Sequence, residues 1–196
     1  MNLGGLLARR LRGDFEVDEW GADPELVDLI DPLVAPFIRV TVEGASRVPA
    51  EGPAVLVANR RVGLLEPFVL VRGVRQATGR RTRFLGIPDI APVGPVLRRL
   101  GGAINRPDET AGLLRAGHLV GLPLGPSFRR PLRAGALSPQ AVEPALDLDV
   151  PVLPVAVVGG EVTGRWEVLI GEPVPRPTAR GPLALAELAD EARAGV

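Results

Sequence analysis

Residues 42–68 read VEGASRVPAEGPAVLVANRRVGLLEPF, and the order of residue types along this stretch sets the fold class. Pro49, Gly52 and Pro53 mark a turn, because proline presets φ and glycine supplies conformations that L side chains avoid. The five residues that follow, Ala54 to Ala58, are all apolar. A short apolar run bounded by turn signals suits a strand covered on both faces, as in a parallel or mixed sheet with helices on either side. Beyond the polar Asn59, Arg60 and Arg61 the pattern becomes helical, over about Glu66 to Thr78.

The same alternation extends in both directions. Upstream, Asp23 as N-cap, Pro24 at the first helical position and Glu25 in the first turn predict a helix to about Phe37, followed by a strand over Ile38 to Glu43. Downstream, helices are expected at Val93 to Leu100, Asp108 to Ala116 and Leu183 to Ala194. The second of these has Pro107 in its first turn and Gly117 as its stop. Strands are expected at Arg83 to Gly86, Gly102 to Ile104, His118 to Leu122, Val152 to Val157 and Trp166 to Ile170. Such alternation argues for an α/β fold with a mixed, mainly parallel central sheet flanked by helices. Residues 1–37 read as an N-terminal helical segment and residues 38–196 as one α/β domain. Leu3, Leu6, Leu7 and Leu11, flanked by Arg9, Arg10 and Arg12, make the start a basic amphipathic segment, suited either to its own domain or to a membrane surface.

Composition removes whole classes of function. The chain has 196 residues, 46% of them hydrophobic, with 24 Gly and 21 Pro, which fits one globular domain of short elements and tight turns. With no cysteine there is no disulfide, thiolate metal site or cysteine nucleophile, and one histidine, His118, cannot make a His-rich zinc site. No apolar run approaches the roughly 18 residues of a membrane span. The first residues lack the continuous apolar stretch of a secretory signal, so a cytoplasmic location is expected, with the inner face of the plasma membrane as a peripheral site. The formal net charge is zero, yet residues 60–130 carry 13 Arg against Glu66, Asp89, Asp108 and Glu109, while both flanks are acidic. That centre either attracts phosphate-bearing ligands and anionic membranes or is a face paired with the acidic ends. With 4% aromatic residues and no stacking surface among the arginines, nucleic-acid binding is not expected.

Four segments in fixed order resemble the phospholipid/glycerol acyltransferase family, the PlsC-type enzymes that acylate lysophosphatidate. In the stretch quoted above, the resemblance lies in the Pro-x-x-Gly-Pro turn, the apolar strand and then Asn59, Pro67 and Phe68, where the family has Asn-His, four residues and Asp-Pro. LGGAINR, residues 100–106, is similar to the motif whose terminal arginine, here Arg106, helps bind the acceptor's phosphate. LPLGP, residues 122–126, stands where the family has Phe-Pro-Glu-Gly-Thr. VPVLPV, residues 150–155, fits the closing Val-Pro-x-x-Pro-Val strand.

The departures fall on the residues that carry the family's reaction. There the histidine is the general base that deprotonates an acceptor hydroxyl, the aspartate orients it, and the hydroxyl attacks an acyl thioester. Arg60 occupies the histidine position, Leu65 the aspartate position with Glu66 one residue later, and Leu124 the position of the third motif's glutamate. Arginine stays protonated at any physiological pH and has no lone pair to accept a proton. The resemblance therefore implies a degenerate acyltransferase, catalytically impaired, with Asn59, Arg60, Arg61, Arg106 and Gly125 as substrate-binding candidates. Glu66 and His118 are the candidate substitute bases. No metal or resident cofactor is implied, and acyl-CoA or an acyl carrier protein would serve as co-substrate. The expected partners are a phosphate-bearing lipid or an acyl thioester. Two alternatives stand beside this reading: an active acyl-CoA-dependent lysophospholipid acyltransferase with a non-standard base, and a regulatory subunit at an anionic membrane surface.

Overall fold

The computed structural model describes residues 12–13, 15–59, 65–124, 136–160, 162–178 and 181–196. The amphipathic segment from Leu3 to Leu11, together with Arg60, Arg61 and Gly125, lies outside the described residues. Among the described residues six α-helices and seven strands follow one another in the order α1 (Pro24–Val34), β1 (Arg39–Glu43), β2 (Ala54–Ala58), α2 (Glu66–Thr78), β3 (Thr82–Leu85), α3 (Val93–Arg99), β4 (Gly102–Ala103), α4 (Pro107–Arg115), β5 (Leu119–Pro123), α5 (Pro139–Asp147), β6 (Val152–Gly160), β7 (Arg165–Ile170) and α6 (Pro182–Ala194). The strands form one sheet ordered β1-β7-β6-β2-β5-β3-β4. The last five of these run parallel, β7 turns back antiparallel to β6, and β1 lies parallel to β7. The mixed, mainly parallel α/β architecture is present.

β2 shows why the opening stretch decides the fold. Val55 and Val57 enter a cluster with Leu113 and Leu114 of α4, Val142 of α5 and Leu188 of α6. Ala54, Leu56 and Ala58 enter the opposite cluster with Val69, Leu70 and Val74 of α2 and Trp166 of β7. Alternate side chains of one strand thus feed two cores, so all five residues are buried. Each fully buried valine or leucine side chain contributes about 1.5–3 kcal/mol of transfer free energy.

The expected Asp23 cap forms, its carboxylate accepting the Leu26 N–H at 2.8 Å. α1 stops at Val34 rather than Phe37: its C-cap Ala35 keeps helical φ and ψ and its N–H still donates to the Asp31 carbonyl, but Pro36 has no N–H to continue the ladder. β6 runs to Gly160, three residues past its expected end at Val157, where β7 pairs with it. α5 was not foreseen. Pro139 stands at its first position, where proline is favoured, and Pro144 inside it is tolerated because Val142 and Ala145 beside it are buried in the first cluster.

Candidate functional site

In open α/β sheets the ligand crevice lies outside the carboxyl ends of the parallel strands. β2 and β5 are neighbours here, with Ala58 opposite Pro123. The Asn59 side chain prolongs β2 sideways: its Nδ2 donates to the Val157 carbonyl at 2.9 Å and its Oδ1 accepts the Val157 N–H at 2.5 Å. This residue, expected to bind substrate, is engaged in holding β2 to β6. Leu124 closes the other side. Its N–H donates to the Ala58 carbonyl at 2.8 Å, and its side chain is fully buried.

Glu66 opens α2, where a carboxylate complements the free N–H groups of the first turn. Its environment is nevertheless unusual. Only 4% of the residue is exposed, and Oε2 is buried with no hydrogen-bond partner. Together with Asn59, Phe84, Gly121 and Pro123 it lines a cavity of about 20 Å³, room for roughly one water molecule. Phe68 packs edge-on against Phe84, ring centroids 5.6 Å apart. An unpartnered buried acceptor costs about 1–3 kcal/mol, so packing alone gives no reason for a glutamate at this position.

The sequence reading missed a second feature, a groove between α1 and α2. Asp28 and Asp31 are three apart on α1, and Arg72 and Arg75 are three apart on α2, a spacing that puts each pair on one helix face. Arg72 pairs with Asp31, and Arg75 with Asp28 at 2.7 Å, which Arg81 also reaches at 3.1 Å. These contacts hold α1 in place although none of its residues is buried. Between the helices lies a cavity of about 280 Å³, lined by Val27, Ile30, Val34, Leu65, Phe68 and Val71. Two guanidinium nitrogens on its wall, Arg72 Nε and Arg75 Nη1, are buried without hydrogen-bond partners. The matched spacing of aspartates and arginines was the signal that could have revealed it.

Much of the basic centre is neutralised from within. Arg72, Arg75, Arg81 and Arg83 pair with Asp31, Asp28 and Asp18 of the acidic N-terminal region, and Arg98 pairs with Glu109 at 2.6 Å. Burial works against the Asp18 charge, yet the Ala22 and Trp20 N–H groups and the Arg83 guanidinium outweigh it and hold the carboxyl below the ordinary range. Arg106 precedes α4 with an exposed side chain 3.3 Å from Asp108. It lines an open groove of about 590 Å³ with Trp20, Arg98 and Glu109, and does not line the Glu66 cavity.

His118 stands at the wrong end of β5 for the chemistry at Glu66. Five residues separate it from Pro123, about 16 Å at roughly 3.3 Å per residue. Its backbone completes the C-terminal cap of α4: the His118 N–H donates to the Leu113 carbonyl at 3.1 Å and the Gly117 N–H to that of Leu114 at 2.9 Å, with Gly117 at φ 82°. Burial lowers the imidazole pKa and Arg83 lowers it further, against the opposing pull of Asp18 and Glu19.

The fold is that of a solved lipid enzyme. The crystal structure of PlsC, the 1-acyl-sn-glycerophosphate (LPA) acyltransferase of Thermotoga maritima, superposes with a TM-score of 0.62 and 21% identity over 97% of this chain and 85% of that one. The chain has an acyltransferase-like fold. No family model matches it. Uncharacterised proteins of Mycobacterium tuberculosis and Mycobacterium leprae are 29% and 30% identical to it, over 178 and 182 residues, in each case 81% of this chain. The chain spans about half the length of these curated relatives, 49% and 48% respectively.

Proposed function

We propose that this acyltransferase-fold protein is catalytically impaired and binds a phosphate-bearing lipid or an acyl thioester, with the acyl chain lying between α1 and α2. The groove there carries the reading. Its walls are apolar, as a hydrocarbon chain requires, and the unpartnered Arg72 Nε and Arg75 Nη1 can donate to the anionic or carbonyl end of an amphiphile. An apolar cavity of about 150 Å³ is enough to bind benzene, and this one is larger, about 280 Å³. Impairment rests on two features. Position 60, the family's histidine position, is an arginine, and His118 lies at the amino end of β5. Loss of a positioned general base costs about 10²–10⁴ in rate.

Thermal denaturation with lysophosphatidate, phosphatidate and long-chain acyl-CoA tests this directly. A ligand at a hundred times its Kd stabilises by about 2.7 kcal/mol, which for a chain of this size raises Tm by roughly 5–11 °C. Ile30→Trp, which fills the groove, is expected to abolish the shift. If none of the three ligands moves Tm at millimolar concentration, the lipid-binding reading is wrong.

One observation favours an active enzyme instead, the unpartnered Oε2 of Glu66 beside a water-sized cavity. A carboxylate so placed can take a proton from an acceptor hydroxyl directly or through one water. Release of free CoA from acyl-CoA that requires lysophosphatidate, and is lost in Glu66→Gln, would establish this second reading and displace the first.

A further inference from the structure

The two ends of the sheet are finished differently. β4, at one end, is two residues long, Gly102–Ala103, too short to template a further strand. β1, at the other, keeps an unbroken register against β7 over its five residues, from Arg39 opposite Arg165 to Glu43 opposite Leu169, without proline or bulge. No strand among the described residues pairs with its far side. The ladder fixes where its free backbone groups point. The Arg39 N–H donates to the Gly164 carbonyl at 2.8 Å, and in a parallel pair alternate residues address the same neighbour. Arg39, Thr41 and Glu43 therefore bond toward β7, and the N–H and C=O groups of Val40 and Val42 point out of the sheet's edge.

The side chains of β1 divide between two faces. Val40 and Val42 lie under α2, where a Cβ on Gly73 would come within 2.9 Å of Val40 Cγ1 and 3.2 Å of Val42 Cγ2. Arg39, Thr41 and Glu43 point to the opposite face and are exposed. Neither Arg39 nor Glu43 has an ion-pair partner among the described residues. Arg39 also stands directly opposite Arg165, and like charges facing each other across adjacent strands are destabilising. The strand reads Arg-Val-Thr-Val-Glu, so its charges complement themselves when the sequence is reversed.

We propose that β1 pairs with β1 of a second copy of this chain, antiparallel across a two-fold axis centred on Thr41, which joins the two seven-stranded sheets edge to edge. In that register Val40 exchanges N–H···O bonds with Val42 of the second copy, and Val42 with Val40 of the second copy, so the outward-pointing groups of both strands are satisfied. Thr41 faces its counterpart, and Arg39 faces Glu43 of the second copy at each end. Other registers lose these contacts. A shift of one residue sets Val40 against Thr41, whose backbone groups are turned toward β7. A shift of two residues separates both Arg39 side chains from the Glu43 carboxylates. A two-fold interface uses the same surface on both subunits, and the complement of this strand is the strand itself, which makes a second copy the fitting occupant.

The test uses the whole chain without lipid or acyl thioester, so its outcome is independent of the ligand-binding reading above. Sedimentation equilibrium is expected to show a monomer–dimer equilibrium. Arg39→Glu or Glu43→Arg alone sets like charges against each other at both ends of the paired strands and should raise the dimer Kd at least about tenfold. The double exchange restores the complement and should return Kd to within about threefold of wild type, and the two single variants mixed should form a heterodimer. Circular dichroism should confirm that each variant folds. Because the chain has no cysteine, Thr41→Cys carries a unique thiol. Facing residues of a non-hydrogen-bonded antiparallel pair have Cα atoms about 4.5 Å apart, within the roughly 4.4–6.8 Å of a disulfide. Mild oxidation should therefore crosslink Thr41→Cys into a dimer and leave Thr178→Cys, at an exposed position before α6, monomeric. A wild-type monomer at every concentration, single charge variants that dimerise as tightly as wild type, a double exchange no tighter than the singles, or Thr41→Cys crosslinking no faster than Thr178→Cys would overturn the proposal.

Discussion

Glu66 offers the sharpest test of whether the crevice is a functional site. Replacing it with leucine removes a buried carboxylate oxygen that has no partner and adds apolar surface beside Leu70, Phe84, Leu85 and Leu122, which line the same cavity. Relief of an unsatisfied buried acceptor is worth about 1–3 kcal/mol. Against it stands the lost attraction between a first-turn carboxylate and the α2 amino end, about 0.3–1 kcal/mol. The balance favours Glu66→Leu by about 1–2 kcal/mol, a rise in Tm of roughly 2–8 °C for a chain of this length. Urea denaturation at pH 7, monitored by far-ultraviolet circular dichroism, should show a higher midpoint at unchanged slope. Glu66→Gln keeps the polar shape without the charge and should fall between the two. Residues retained at a cost in stability are the ones expected at functional positions. If Glu66→Leu is instead destabilising by more than 1 kcal/mol, the carboxylate has a structural partner and the argument for a crevice site fails.

Three further outcomes follow from the same geometry. Asp31→Ala leaves the Arg72 guanidinium, whose side chain is 10% exposed, without its ion pair, and should cost about 1–2 kcal/mol by urea denaturation, less than a fully buried pair because Asp31 is itself 36% exposed. His118 binds its proton more weakly folded than unfolded, so as pH falls below about 6.5 the unfolded state takes up the proton first and stability declines, until the folded imidazole is protonated too. His118→Gln should flatten the dependence of the urea midpoint on pH between 7.5 and 5, and an unchanged slope would show that another group titrates there. Arg106→Ala, an exposed change, should alter stability by less than about 0.5 kcal/mol; because Arg106 lines a groove other than the one between α1 and α2, lysophosphatidate binding should stay within about twofold, and a larger loss would move the phosphate site to Arg106.

The fold was legible wherever local pattern and tertiary environment agree. Ala54 to Ala58 is apolar throughout because the sheet is covered on both faces, and the expected helix from Glu66 to Thr78 has those same bounds in the structure. Legibility failed where tertiary burial overrides propensity. α5 contains Pro144, which no local rule places inside a helix, and it forms because its apolar face completes a core built by α4 and α6. The site was less legible for a related reason. Asn59 was read as a ligand position from motif order, and the pairing that engages it, with Val157 of β6, comes from a strand 98 residues away.

The basic centre shows how a sequence total can mislead in both directions. Neutral overall charge concealed a segment of plus nine, and that segment in turn concealed its own neutralisation, since Asp18, Asp28 and Asp31 reach across to Arg83, Arg75, Arg81 and Arg72. Charge count within a segment therefore says little about what remains for a ligand. What the ion pairs accomplish is positional. They hold α1 across α2 without burying any of its residues, and this leaves an apolar groove that tighter packing would have closed. Ile38 and Leu65 line that groove together with Val27, Ile30 and Val34. Disruption of the Asp31–Arg72 pair should then loosen α1 and weaken acyl-chain binding, read as a smaller rise in Tm with long-chain acyl-CoA than the wild type shows. An undiminished rise in Asp31→Ala would show that the ion pair does not set the groove.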